Sequence, residues 1–291
     1  MKKIITGFGD PIQLEGSYNP TSWVVRVFEV NGHREISARN TVDWEEVPYK
    51  PTLDLFPDQP SLQQLQDEED RRQANLKRSA SRAQTTCRRV IKAEGFNEML
   101  TLTYRENQGD RELCKKHFKE WARRMKRALG EFRYCASFER QERGAMHVHI
   151  ATHQMPQYGK YGGLKIKSWQ LGTKIWRSIV GADNGLCFVG GRNGKGNQRT
   201  KRMSLARMAA YISKYILKDF ADAPEESNRY SRSNGSYIPK PVTMYFQSLT
   251  MMEMLDLVFE CAEGDVIVSH NLDVDRGSYW LCTEPAPPPL H

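Results

Sequence analysis

Two short segments constrain this chain more than anything else in it: Glu139-Arg-Gln-Glu-Arg-Gly-Ala-Met-His147-Val-His149 and, further along, Tyr211-Ile-Ser-Lys214-Tyr215. Around the first, residues 132–139 and 145–152 read as the two arms of a β-hairpin that turns at 141–144. Side chains two apart on a strand share a face, so His147 and His149 offer both imidazoles to one side of the sheet. The outgoing arm sets Glu139 beside them. Two imidazoles and a carboxylate are a ligand set for a divalent cation, with positions left for water and a phosphate oxygen. Mg²⁺ or Mn²⁺ suits such a set, and Zn²⁺ accepts the same donors. Glu142 is a second candidate carboxylate, but it falls in the turn. His153 lies further along the same parity and reads as a structural or surface residue.

The second segment reads as part of a helix over 204–220. Leu205, Met208, Ala209, Ile212 and Ile216 form one apolar stripe, and Arg207, Lys214 and Lys218 gather on another face. Tyr211 and Tyr215, one turn apart, fall on the seam between the two. A nucleophile needs that position, held by packing on one side and open to phosphates on the other. The plainer reading is a pair of tyrosines that edge a core with their hydroxyls in water. Between Asn184 and Lys218 every charged residue is Lys or Arg. A Gly/Lys/Arg-rich loop at 190–203, with Arg199, Lys201 and Arg202, leads into the helix as a phosphate-tracking element would. Such surroundings predict phenols with a pKa lowered from about 10. Lys214 stands where it can activate a tyrosine or steady a phosphate.

At 291 residues the chain can bury a substantial core, and its net charge of +8 favours a polyanionic partner such as nucleic acid. No apolar run is long enough to cross a membrane, and the opening Met1-Lys-Lys-Ile-Ile-Thr leads into no signal-like stretch, so the expected compartment is the cytoplasm. The cysteines (Cys87, Cys114, Cys135, Cys187, Cys261, Cys282) are widely spaced, with no C-x-x-C pair. They read as reduced, small apolar fillers. Gly191-Arg-Asn-Gly-Lys195-Gly-Asn lacks P-loop spacing, so no motor is recognisable.

Along the chain, residues 1–58 mix β-like runs such as Trp23-Val-Val-Arg-Val-Phe-Glu-Val30 with Pro and Gly breaks. Residues 59–94 predict a helix with an acidic first half and a basic second half, either a solvated face or a DNA-backbone contact. A strand follows at 98–104, then a helix at 110–129 stopped by Gly130, the hairpin, a glycine-rich loop at 158–163, a helix at 168–180 and a short strand at 186–189. Beyond 221 the chain reads as loop-rich, with one helix near 249–261 and a Pro-rich tail. The division predicted is an N-terminal extension or peripheral layer over 1–94, a core over 95–221 and a C-terminal extension over 222–291.

Three segments in this order resemble the HUH endonuclease superfamily, specifically rolling-circle replication initiators (Rep proteins) of small phages and plasmids. Met99-Leu-Thr-Leu-Thr-Tyr104 looks like the first, strand motif, Glu139 to His149 like the metal motif, and Tyr211-Ile-Ser-Lys214-Tyr215-Ile-Leu-Lys218 like the two-tyrosine motif of gene A-type initiators. The resemblance spans roughly 96–220. It implies an α+β fold with a central antiparallel sheet flanked by helices and the histidines on a middle strand. Relaxases carry the tyrosine before the histidines, and HUH transposases usually carry one tyrosine on a shorter chain.

From the resemblance follows an enzyme that nicks and rejoins single-stranded origin DNA through a 5′-phosphotyrosine. It would use Tyr211 and Tyr215 with Lys214, and Mg²⁺ or Mn²⁺ on His147, His149 and Glu139. Arg199, Lys201, Arg202, Arg207 and Lys218 would contact DNA. Host helicase and polymerase are the implied partners, in the cytoplasm of a bacterial host cell. Three alternatives stay open: a single-strand transposase, a non-catalytic origin-binding regulator on the same scaffold, and a metal-dependent hydrolase without a covalent step.

Overall fold

A computed structural model of the chain describes residues 2–7, 9–49, 62–189, 204–218 and 228–287. In chain order its elements are β1 (Lys2–Gly7), β2 (Gly9–Val30), β3 (His33–Val47), α1 (Leu62–Glu94), β4 (Glu98–Thr103), α2 (Arg111–Leu129), β5 (Tyr134–Arg140) and β6 (Met146–Thr152). Next come β7 (Tyr158–Tyr161), β8 (Leu164–Lys167), α3 (Ser168–Val180), β9 (Leu186–Val189) and α4 (Leu205–Lys218). The chain continues through β10 (Tyr230–Arg232), β11 (Val242–Phe246), α5 (Met251–Glu260), β12 (Asp265–Asp273) and β13 (Ser278–Pro285). The protein is α+β, with antiparallel sheets and helices on their faces.

It divides into two compact units, one from Met1–Leu65 with Pro239–His291, the other Gln66–Ile238. The sequence divides the chain elsewhere, at 94/95 and 221/222. Helix α1 is the reason for the first difference. Its Cys87, Val90 and Ile91 are fully buried and share a core with Phe96, Cys135 and Met208, so most of the helix belongs with the histidine strands.

In the first unit the strand order is β1-β2-β3-β13-β12, with β11 on β2. Trp23, Val25, Ile36, Ala38 and Leu281 meet Met254 and Val258 of α5 in one core. The region beyond 221, read from sequence as loop-rich, therefore supplies four strands. The signal is weak locally because one register shift between Ile267 and Ser269 flips the inward–outward parity of β12, and its strand neighbours lie far off in sequence. In β2 the ladder with β3 shifts between Asn19 and Trp23, where Pro20 has no N–H to give to a partner strand.

In the second unit the order is β10-β5-β6-β4-β9, so the histidine strand is the middle one. Alternation along it builds two different faces. Val148 and Ile150 of β6, Leu100 and Leu102 of β4, and Ala136 and Phe138 of β5 point to one side, where Phe118, Trp121 and Met125 of α2 and Leu171, Ile175 and Trp176 of α3 cover them. Each large apolar side chain fully buried there contributes about 1.5–3 kcal/mol. The opposite parity, Met99, Cys135 and Ala151, packs against α1 and against Met208, Ala209, Ile212 and Ile216 of α4. Helix α2 begins at Asp110, whose side chain accepts from the Leu113 N–H, and stops at Gly130 with φ 85°. The glycine-rich stretch read as a loop at 158–163 is instead a two-stranded ribbon, β7 with β8, turning at Gly162 and Gly163. Both glycines have positive φ, as the turn residues of a tight hairpin do.

Candidate active site

The site lies where the apolar layer under α4 ends. In register, Glu139 stands opposite His147, Ser137 opposite His149, Thr103 opposite His147 and Thr101 opposite His149. Directly opposed residues share a face, so these side chains continue the parity of Cys135, Ala151 and Met99. Near the α4 hydrophobes that row is apolar; one step along the strands it becomes polar.

Glu139, His147, His149, Tyr211 and Tyr215 line one cavity of about 450 Å³, joined by Thr101, Thr103 and Gln141. Glu139 is 8% exposed and His149 5%. A carboxylate buried to that degree survives only with partners, and it has two: His149 Nε2 lies 2.9 Å from Glu139 Oε2, and Lys218 Nζ donates to Oε1 at 2.8 Å. Burial pushes the carboxyl up, but the hydrogen bonds from His149 and Lys218 outweigh it and hold the group at about 2. Burial, with the neighbouring His149, pulls His147 down to about 4, so at neutral pH its imidazole is unprotonated and has a lone pair to give.

The tyrosine helix meets the histidines through ring contacts. Tyr215 stacks on His149 with centroids 4.3 Å apart and planes within 9°. Tyr211 meets His149 edge-on at 5.7 Å and Tyr215 edge-on at 5.3 Å. Lys214 Nζ sits over both phenol rings, at 4.4 and 4.9 Å from their centroids. The two tyrosines are not equivalent. Tyr215 is buried, 6% exposed, whereas Tyr211 is half-buried. The sequence predicts lowered phenol pKa values, and Tyr215 goes the other way. Burial raises it, and a hydrogen bond with Tyr211 and the charge of Glu139 add to the rise. That expectation counts cations along the sequence; the ring is instead walled in by His149 and the α4 packing.

Of the other residues the sequence selects, Lys218 reaches Glu139, and Arg207 is exposed on the first turns of α4. Arg199, Lys201 and Arg202, with the loop at 190–203, lie outside the described residues, as do 219 and 220. Glu142 is exposed in the turn, and His153 lies edge-on against Phe96, away from the cavity. Sequence reasoning misses the threonines of β4. Thr101 Oγ1 lies 3.4 Å from His149 Nδ1 and is in place to fix that ring. Their signal is the strict alternation of Met99-Leu-Thr-Leu-Thr, which places Thr101 and Thr103 on one face without saying which.

The donor set fits a divalent cation in type: an ionised carboxylate, an unprotonated imidazole and a second imidazole on one face. Two of the three converge. The 2.9 Å between His149 Nε2 and Glu139 Oε2 matches the roughly 3 Å between adjacent ligands of an octahedral ion with bonds near 2.1 Å. His147 stands off, its ring centroid 6.2 Å from that of His149 and tilted 59°. Among the described residues no three His, Cys, Asp or Glu side chains are gathered closely enough to hold a metal ion.

Residues 97–220 match the model of a family described as Replication-associated protein ORF2. The match spans the strands, the histidines and both tyrosines, and links this part of the chain to DNA replication. No curated protein and no solved structure matches the chain.

Proposed function

We propose that the chain is a rolling-circle replication initiator that nicks and rejoins single-stranded origin DNA through a 5′-phosphotyrosine. The observation that carries this reading is the shared cavity of Glu139, His147, His149, Tyr211 and Tyr215, within the replication-associated match. Mg²⁺ or Mn²⁺ held by His147, His149 and Glu139 supplies charge to polarise the scissile phosphate and offset the negative charge that develops on it.

The chain's own residues do the rest. Thr101 and Glu139 orient His149 through its two ring nitrogens. Tyr211, the more exposed phenol, attacks first: its oxygen bonds to phosphorus, the bond from phosphorus to the 3′-oxygen breaks, and the phenolic proton is lost as the 3′-oxygen gains one. The free 3′-hydroxyl primes synthesis. Tyr215, one turn on and hydrogen-bonded to Tyr211, makes the second cut after a round of copying. The released 3′-hydroxyl then attacks the first phosphotyrosine and closes a circle. Bond energy is conserved, so neither step consumes a nucleoside triphosphate. Lys214 lies over both rings, within reach of a phosphate at either oxygen. Arg207 contacts DNA beside the helix. Host helicase and polymerase complete replication, in the cytoplasm of a bacterial cell.

The test is incubation with Mn²⁺ and end-labelled single strands tiled across the DNA that carries the chain's gene. A single cleaved position, with religation on adding an acceptor 3′-end, supports initiation. Cleavage confined to hairpin ends indicates a transposase, and binding without cleavage a regulator.

A further inference from the structure

A second concave surface lies on the other side of the same sheet, between α2 and the edge strand β10, with a volume of about 1340 Å³. One wall is a stripe of cations, Lys116, Lys119, Arg123 and Lys126, all exposed. Their spacing of three, four and three residues keeps them on one helix face. Arg123 pairs with Glu120, while Lys116, Lys119 and Lys126 have no carboxylate partner among the described residues. Two carboxylates also line the groove, Glu120, held by Arg123 and Arg124, and Glu131. The facing wall carries Ser231, Ser233 and Asn234, neutral groups able to hydrogen-bond phosphate oxygens.

Spacing and floor together choose the partner. From Lys116 to Lys126 the helix rises about 15 Å at 1.5 Å per residue. One strand of B-form DNA places a phosphate roughly every 3.4 Å along its axis, so about four phosphates face four cations. The groove's floor is aromatic but closed: Phe118 is 1% exposed, Phe132 6% and Phe138 2%. Tyr134 and Tyr230 are half-buried. No ring is presented on which an unpaired base could stack, as a single-strand channel requires. The stripe lies on α2 and the tyrosines on α4, and these helices cover opposite faces of the sheet.

We infer that this groove binds the sugar–phosphate backbone of duplex DNA, independently of sequence, and holds a double-stranded arm on the face away from the nicking cavity. The choice of DNA as partner rests on the proposed replication role, but the groove does not depend on tyrosine chemistry.

The test uses the full chain and titrates a short duplex of arbitrary sequence, and an equally long oligo-dT strand, across a salt series. The groove variant is Lys116→Gln/Lys119→Gln/Arg123→Gln/Lys126→Gln. A charge-matched control is Arg71→Gln/Lys77→Gln/Arg78→Gln/Lys160→Gln, all exposed positions elsewhere in the unit. The groove variant is expected to bind duplex at least about tenfold more weakly, with the slope of log affinity against log salt reduced by about 3 to 4. The control keeps its duplex affinity, and oligo-dT binding and adduct formation on a single strand stay unchanged in both. Equal duplex loss in the control, an unchanged slope in the groove variant, or a larger loss for oligo-dT than for duplex would overturn the inference. Failure of the initiator reading shows differently, as wild type that makes no adduct yet still binds duplex through the stripe.

Discussion

The two faces of the five-stranded sheet are built from the same strands and end in different chemistry. On the α2/α3 face, Leu100, Leu102, Phe138, Val148 and Ile150 are covered completely by Phe118, Trp121 and Trp176. On the α1/α4 face the same alternation starts apolar at Met99, Cys135 and Ala151, then turns to Thr101, Ser137, His149, Glu139 and His147. One face is finished by packing. The other is left unfinished where α4 stops supplying isoleucines and supplies tyrosines, and that is where the buried carboxylate and the cavity lie. A polar row costs stability unless each group is paired, and Glu139 is paired twice.

Adjacent residues of β6 put this contrast to the test. Ile150→Ala opens a hole in the α2/α3 core and should cost about 2–5 kcal/mol in denaturant unfolding, with nicking per folded molecule retained. His149→Ala should do the reverse: nicking falls by about 100-fold or more, and the stability cost is nearer 1–2 kcal/mol from the lost hydrogen bond to Glu139 and contact with Tyr215. If Ile150→Ala lost more activity per folded molecule than His149→Ala, the division of labour between the faces would be wrong.

The tyrosines sharpen the comparison within the working face. Tyr211→Phe should suppress the first nick by about 1000-fold or more. Tyr215→Phe keeps the ring stacked on His149 and should leave the first nick within a few-fold, while the second cut and circle closure are lost. Single-turnover assays on a labelled strand separate the two outcomes; identical defects would remove the inequivalence.

A smaller effect is set by acid. Without metal, His147 is held near 4 against an ordinary 6.5, so its proton favours the unfolded chain. Its contribution is complete above about 6.5 and is lost as pH falls from there toward 4. Glu139, held at about 2 against 4.5, contributes fully above 4.5 and is lost as pH falls toward 2. Melting temperature in chelator should therefore decline in two overlapping limbs. His147→Asn should flatten the upper limb and Glu139→Gln the lower one; an unchanged upper limb in His147→Asn would assign it elsewhere.

The smallest effect concerns Lys218. It is an exposed cation on a buried carboxylate, an interaction worth up to about 1 kcal/mol. Lys218→Ala should free Glu139 and tighten Mn²⁺ binding by up to about fivefold in titration calorimetry; weaker binding would mean that Lys218 organises the ligands instead of competing with the ion.

Much of this is legible from the sequence because it is local. Helix α3 and strand β9 fall at 168–180 and 186–189 as their patterns say, α2 runs between its cap at Asp110 and its stop at Gly130, and the hairpin brings Glu139 opposite His147. What depends on distant partners is not legible. The strands after 221 pair with residues near the start of the chain, as Leu281 does with Ile36 and Met244 with Val25. No window of sequence contains that pairing. The direction of the Tyr215 shift escapes for the same reason, since it is fixed by a ring from β6 stacked on it.

The claim that a tyrosine of α4 becomes joined to DNA has a direct measurement, because trypsin cutting after Arg207, Lys214 and Lys218 puts the two tyrosines on different peptides. The protein is incubated once with Mn²⁺ and a cleavable single strand, the DNA is trimmed with nuclease, and the peptides are weighed. The account predicts a nucleotide adduct on the peptide from Met208 to Lys214, and on the one from Tyr215 to Lys218 only after a second cut. A strand that is nicked while both peptides keep their unmodified mass would contradict it.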